Sequence, residues 1–301
     1  MNLVDVAEAA KANAYNWAVL PFYKNGAPFE GLAAKGSESQ KRLASLKIPR
    51  PLWGMTLKAA GSMRFRWNET NSNRECFLSE LCALFGGAEK GGQKQAVPLE
   101  LIHSKIVFDV KEAGDTFQKQ GDGIITQNKN LIPVVTVADC VPIYFYDSKT
   151  GAFGVAHSGW KGTGIAAQAV AMMEKNYGSN PRDILAAIGP HIHDCCYTVD
   201  KERAQRFIDN FGSGCVQKVS QAQGAGGLFR LSLLRANLNV LTAAGVLEEN
   251  IVAAKNCTAC EELFGSFRRE AAALDVPAQE KARLFTTQAA FVIMEGAEVN
   301  R

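Results

Sequence analysis

Three apolar runs in the middle of the chain, LIPVVTVADC from Leu131, VPIYFYD from Val141 and GAFGVAHSGW from Gly151, follow one another with only a few turn residues between them. Such runs, rich in Val, Ile and aromatic residues, form strands. The connection Ser148–Gly151, SKTG, is too short for a crossover helix, so the second and third runs must pair as an antiparallel hairpin. The next segment, GTGIAAQAVAMMEKNYG, has helical periodicity and a closing glycine at Gly178, and DILAAIGP then reads as a buried strand ending at Gly189 and Pro190. The centre of the chain therefore demands a β core with helix packed on it.

Around this centre the periodicity predicts helices over residues 73–85, 201–211 and 232–244, the first stopped by Gly86 and Gly87 and the last by Gly245. The segment Leu99–Val110, LELIHSKIVFDV, reads as one strand carrying His103. Gly224–Gly227 reads as a loop, and IVAAKNCTAC, LFGSFRRE and FTTQAAFVIM are the final elements. Residues 1–50, with the polar stretch AKGSESQ and the punctuation of Pro49 and Pro51, read as a peripheral N-terminal extension before a catalytic domain over 51–301. No internal repeat and no clean linker divide the chain.

Composition narrows the partners. Lysine and arginine total 33 against 30 aspartate and glutamate in 301 residues, a net charge of +3, too weak for a nucleic-acid or anionic-membrane surface. A small-molecule or protein partner is favoured. No apolar run reaches the roughly 18 residues of a membrane span. The N-terminal residues carry acidic groups where a secretory signal would be basic, so a cytoplasmic protein is expected. Eight cysteines, two of them adjacent at Cys195 and Cys196, are too sparse for a disulfide scaffold and read as reduced thiols, some of them available to a metal.

The four histidines are His103, His157, His191 and His193. In the hairpin register, His157 falls opposite residue 141 or 142 and beside Cys140, and the segment carrying His103 offers a third ligand. Two His and one Cys with an open position suit a catalytic zinc. The same pair also fits a buried structural Cys and His, or a thiolate nucleophile with its base. The sequence leaves these readings open.

The ordered motifs ADC with VPI, AHSGWKGT, IGPHIHDCCYTV, CTAC with SFRR, and GDGIIT at Gly121–Thr126 resemble the YfiH family, long called laccase-domain or multicopper polyphenol oxidoreductase proteins. The resemblance runs from about Trp53 to the C-terminus. It implies an α+β layered sandwich: one mixed β-sheet core flanked by helices. It also implies a purine nucleoside enzyme that combines phosphorolysis of adenosine, inosine and methylthioadenosine with adenosine deamination. Its zinc would be held by His103, Cys140 and His157, with copper possible in the same site. Purine nucleoside and phosphate are then the partners, with no nucleic acid and no membrane. Within this reading the catalytic candidates are Cys140, His157 and Asp139, with Asp122 as a second acidic group.

Some positions depart from the family pattern: Leu101 stands two residues before the first histidine and Ser104 after it, Lys161 follows the Trp of the GW motif, and His193 and Asp194 stand in the family's Gly-Pro-Cys-Cys stretch. Four histidines cannot furnish a multicopper oxidase, which needs a copper cluster beyond a His₂Cys site. Phosphate would be bound by Arg268, Arg269 and Lys161, aided by free amides at the start of the helix after GWKGTG. Cys257 and Cys260 form a CxxC that reads as half of a structural zinc site or a redox pair; with no second CxxC, structural cysteines near the active site are the preferred reading. His191 and His193 read as hydrogen-bonding loop residues. The competing classes are a cysteine hydrolase or deamidase built on Cys140 and His157, a copper-dependent polyphenol oxidase, and a non-catalytic partner-binding protein.

Overall fold

The computed structural model describes residues 1–11, 16–24, 27–28, 51–86, 93–219 and 229–294. The expected Gly224–Gly227 loop, the AKGSESQ stretch and part of the segment after Gly86 lie outside these residues. The strands in chain order are β1 (Asn2–Val4), β2 (Trp17–Pro21), β3 (Tyr23–Lys24), β4 (Ala27–Pro28), β5 (Leu52–Thr56), β6 (Gln95–Pro98), β7 (Val107–Asp109), β8 (Gly123–Thr126) and β9 (Leu131–Val137). There follow β10 (Val141–Asp147), β11 (Phe153–Ser158), β12 (Ile184–Ile188), β13 (Thr198–Val199), β14 (Val216–Lys218), β15 (Phe229–Leu231), β16 (Ile251–Ala254) and β17 (Gln288–Ile293).

Two mixed sheets dominate, one ordered β1-β16-β12-β10-β11-β8-β7 and the other β2-β5-β17-β9-β6. They pack face to face. Side chains of the first sheet such as Tyr144, Phe153, Val155 and Leu185 share one core with Trp53, Met55, Val135 and Val292 of the second. Two outer cores close the sandwich. Ile143, Phe145 and Ile188 pack under the helices Ile165–Tyr177, Lys201–Phe211 and Leu233–Ala243, while Phe291 and Val134 pack under the helix Ser72–Phe85. The result is a helix–sheet–sheet–helix layering, the α+β sandwich the motifs imply.

Burial on both faces explains why β10 reads as an unbroken apolar run. Ile143 and Phe145 point to the helices and Tyr144 and Tyr146 to the other sheet, so neither alternate set faces water. The Tyr144 hydroxyl, fully buried, donates to the Gly54 carbonyl at 3.1 Å and so is satisfied across the inter-sheet core. The helix Ile165–Tyr177 buries Ile165, Ala166, Ala169, Val170 and Met173 along one stripe and ends where Gly178 takes a φ of +69°.

Two sequence expectations are corrected. Leu99–Val110 is not one strand: β6 lies in the five-stranded sheet and β7 in the seven-stranded sheet, and residues 99–106 cross between them. The crossing loop gives up ladder bonds because the amides of His103 and Ser104 are drawn to the Asp122 carboxylate at 3.0 and 2.6 Å. Nor are residues 1–11 and 16–24, described within the expected N-terminal extension, peripheral. β1 pairs in parallel with β16, β2 pairs with β5, and Trp17, Val19 and Leu20 are buried, because each sheet uses this segment to cover an edge strand.

Candidate metal centre

The hairpin places Pro142 opposite His157 in the β10–β11 ladder. Cys140, in the bend just before β10, therefore lies beside His157. His103 arrives on the crossing loop with a φ of +59°, and its ring centroid is 4.9 Å from that of His157. The ligand atoms of His103, Cys140 and His157 all lie within 4.8 Å of one another.

Asp122 organises this cluster from beneath. It is fully buried just before β8, and its Oδ1 accepts from Nδ1 of His157 at 2.8 Å and from the His103 amide at 3.0 Å. Its Oδ2 accepts from the amide and hydroxyl of Ser104, both at 2.6 Å. Burial alone would raise the Asp122 pKa, but His157 and Ser104 bring it below the ordinary value. With Nδ1 tied to a carboxylate, His157 leaves Nε2 for a metal, the arrangement usual for metal-binding imidazoles.

Electrostatics within the cluster favour the charged forms. Burial opposes a thiolate at Cys140, yet His157 and His103 draw its pKa down to about 6. Burial likewise opposes an imidazolium at His157, which Cys140 and Asp122 raise to about 9. Gly159 is required sterically: a Cβ there would sit 3.0 Å from Cys140 Sγ and 3.1 Å from His103 Cδ2. The donor set of two imidazoles and one thiolate, with a carboxylate behind it and space preserved in front, fits zinc or another borderline divalent metal.

The other expected site residues separate into different roles. Asp139, at a φ of +74°, accepts from the Thr258 hydroxyl and the Arg268 amide, each at 2.7 Å. Both its oxygens are engaged, and these contacts tie Cys140's bend to the 258–268 segment. The Arg269 guanidinium is engaged by its own loop: Nη1 donates to the carbonyls of Thr258, Ala259 and Glu261, and Nη2 to Phe264 and Glu270. Arg268 lies over the Tyr197 ring at 5.5 Å, and Lys161 is exposed beside Trp160 at 5.3 Å.

Sequence reasoning missed Tyr197 and Arg203. Tyr197 is pushed up first by burial, and its hydroxyl lies in the fields of Arg203, Cys140 and Arg268. Arg203 lies 4.2 Å over the Trp160 ring. A charge on an amphipathic helix reads as a solvated face, and nothing in the local pattern turns this one toward the GW motif. His191 and His193 pair with each other, ring centroids 4.6 Å apart, and stand outside the His–Cys–His cluster.

A two-sheet α+β sandwich with an imidazole–thiolate cluster at a hairpin mouth defines the class. Residues 78–274, more than half of the chain, match the family described as multi-copper polyphenol oxidoreductase laccase, and the chain belongs to that family. The crystal structure of YfiH from Bacillus licheniformis is similar at a TM-score of 0.66 and 29% identity, over 81% of this chain and 92% of that one. Purine nucleoside phosphorylase YlmD of Geobacillus stearothermophilus is 39% identical over 154 residues, 50% of this chain and 55% of its own length. Adenosine deaminase RL5, from an unknown prokaryotic organism, is 36% identical over 150 residues, 49% of this chain and 56% of its own length. The chain thus matches about half the length of these curated relatives. Among the described residues no helix is long and apolar enough to cross a membrane.

Proposed function

We propose that this chain is a zinc-dependent purine nucleoside enzyme, catalysing phosphorolysis of adenosine, inosine and methylthioadenosine together with adenosine deamination. The observation that carries the reading is the His103, Cys140 and His157 cluster mounted on Asp122. The names of the relatives, a phosphorylase and a deaminase, support the same substrate class.

Zinc, when held by His103, Cys140 and His157, would supply Lewis acidity for both reactions. The chain's own groups do the rest. Asp122 fixes the tautomer of His157 and the position of His103. Arg268, with Arg203 and Lys161 nearby, binds phosphate as a cationic apron, and the bound dianion offsets positive charge growing on the sugar as the glycosidic bond breaks. Trp160 and Tyr197, stacked under those cations, offer flat surfaces against which a base can rest.

Metal analysis of protein purified without added copper, paired with chromatography of adenosine and inosine incubated with and without phosphate, tests the reading. Near-stoichiometric zinc and phosphate-dependent release of free base support it; zinc-free protein with no purine product rejects it.

A second reading rests on a specific chain of contacts. Cys140 lies beside His157, their ligand atoms within 4.8 Å, and His157 is hydrogen-bonded in turn to Asp122, the order of nucleophile, base and orienting acid in a cysteine hydrolase. Under that reading alkylation of Cys140 abolishes turnover and chelators have no effect, whereas the zinc reading requires chelators to inhibit.

A further inference from the structure

A second cluster of thiols lies outside the site just described. Cys195 and Cys196 sit in the loop after β12, and Cys257 and Cys260 sit in the turn after β16. β12 and β16 are parallel neighbours, and a bridge between His191 and Cys257 extends their pairing past the strand ends. Both cysteine pairs are therefore delivered to the same edge of the sandwich.

The sulfur geometry is that of a metal cage. Cys195 Sγ lies 3.8 Å from Cys196, 3.7 Å from Cys257 and 3.6 Å from Cys260, and Cys196 lies 3.3 Å from Cys260. All four sulfurs are within 4.8 Å of one another. A tetrahedral zinc with bonds of about 2.3 Å requires sulfur–sulfur separations of about 3.8 Å. A disulfide would bring one pair to about 2.05 Å, and all four cysteines are free.

The surroundings match a structural site. The His193 amide donates to Cys257 Sγ at 3.3 Å, the kind of peptide contact that steadies a thiolate ligand. The amides of Cys260 and Glu261 turn back onto the Cys257 carbonyl at 3.2 and 3.1 Å, closing the CxxC into a compact knuckle.

We propose that Cys195, Cys196, Cys257 and Cys260 bind a second zinc ion in a closed, four-thiolate structural site. The partner half that the CxxC lacks in the sequence is the adjacent Cys195–Cys196 pair. On binding, the thiols release their protons to solvent and no position is left open for substrate. The site clamps the Thr258–Glu261 turn, whose carbonyls hold Arg269 and whose Thr258 hydroxyl holds Asp139 beside Cys140. The ion thus steadies the floor of the His–Cys–His centre from outside it.

Zinc content measured by elemental analysis on anaerobically purified protein, with a cobalt spectrum of the metal-exchanged protein, tests this. Cys140→Ser removes a ligand of the other site only, so that variant retains one zinc equivalent and, with cobalt, an intense thiolate-to-metal charge-transfer band. The double variant Cys257→Ser, Cys260→Ser loses that band and melts at a lower temperature. A Cys140→Ser protein that folds but holds no zinc overturns the proposal, as does an intact mass two hydrogens short, which signals a disulfide. Because the deciding variant keeps all four thiols, failure of the double variant to fold leaves the test intact. The outcome is also independent of whether the chain turns over nucleosides.

Discussion

Nδ1 of His157 donates to Oδ1 of Asp122 at 2.8 Å, and the same carboxylate takes the amides of His103 and Ser104. One buried side chain thereby orients two of the three candidate ligands. Asp122→Asn keeps the size but removes the charge and one acceptor, so zinc affinity should fall about 10–100-fold. Competition with a chromophoric chelator measures it; an unchanged affinity would show that the ligands are held by something else.

Cys140→Ala should empty the His–Cys–His centre of zinc, leaving only the equivalent held by the four cysteines, and abolish nucleoside turnover, with the far-UV circular dichroism unchanged, since the residue sits in a bend at the end of the β9–β10 connection and not within a strand. Full activity in metal-free protein would sink the zinc mechanism.

Gly159→Ala sets a methyl group 3.0 Å from Cys140 Sγ and 3.1 Å from His103 Cδ2. The atoms that must give way belong to the metal ligands, so metal affinity should drop by at least about tenfold with only a small change in thermal midpoint. A large loss of stability with intact metal binding would contradict this.

Arg268 and Arg269, neighbours in sequence, should part company on mutation. Arg269→Met leaves several loop carbonyls without their charged donor and should cost about 2–4 kcal/mol in a urea titration. Arg268→Met should instead raise the KM for phosphate about tenfold with little loss of stability. The same effect from both substitutions would reject the division of labour.

Acid should loosen the N-terminal segment. Burial tends to raise the pKa of Asp5, but hydrogen bonds from Asn256 and Lys255 and from the Glu8 amide carry it down to about 2 from 3.8. A carboxylate depressed in this way contributes stability that is present above its unfolded value and is lost as pH falls toward 2. The urea midpoint should therefore decline between pH 4 and pH 2, and Asp5→Asn should flatten that decline while lowering the midpoint at pH 5. A wild-type curve without slope in this window would contradict the assignment.

The β10–β11 hairpin, and with it the nearness of Cys140 to His157, was legible because a short connection between two apolar runs admits one pairing, whose side-chain period fixes what faces what. The helices Ile165–Tyr177 and Lys201–Phe211 were legible for the same local reason, that spacing decides which stripe is buried. His103 was offered as a third ligand from its segment and named as one by the family resemblance, but its setting was not legible: its loop leaves one sheet for the other under the pull of a carboxylate 19 residues away.

What the sequence by itself determined is local: the central strands and helices, the hairpin register, and a set of residue types suited to binding a metal. Only the tertiary structure decided which charges are free and which are spent. Arg269 and Asp139 look like functional groups in the motif, yet their partners lie on loops that meet only after both sheets have packed, and the half-buried Arg203 of a helix comes to face Trp160. The same holds for the thiols, because Cys196 and Cys260, 64 residues apart, come to 3.3 Å only when β12 and β16 lie side by side. Hydrogen bonds and metal cages depend on distances of a few ångströms, and those distances are set by the assembled sheets, not by spacing along the chain.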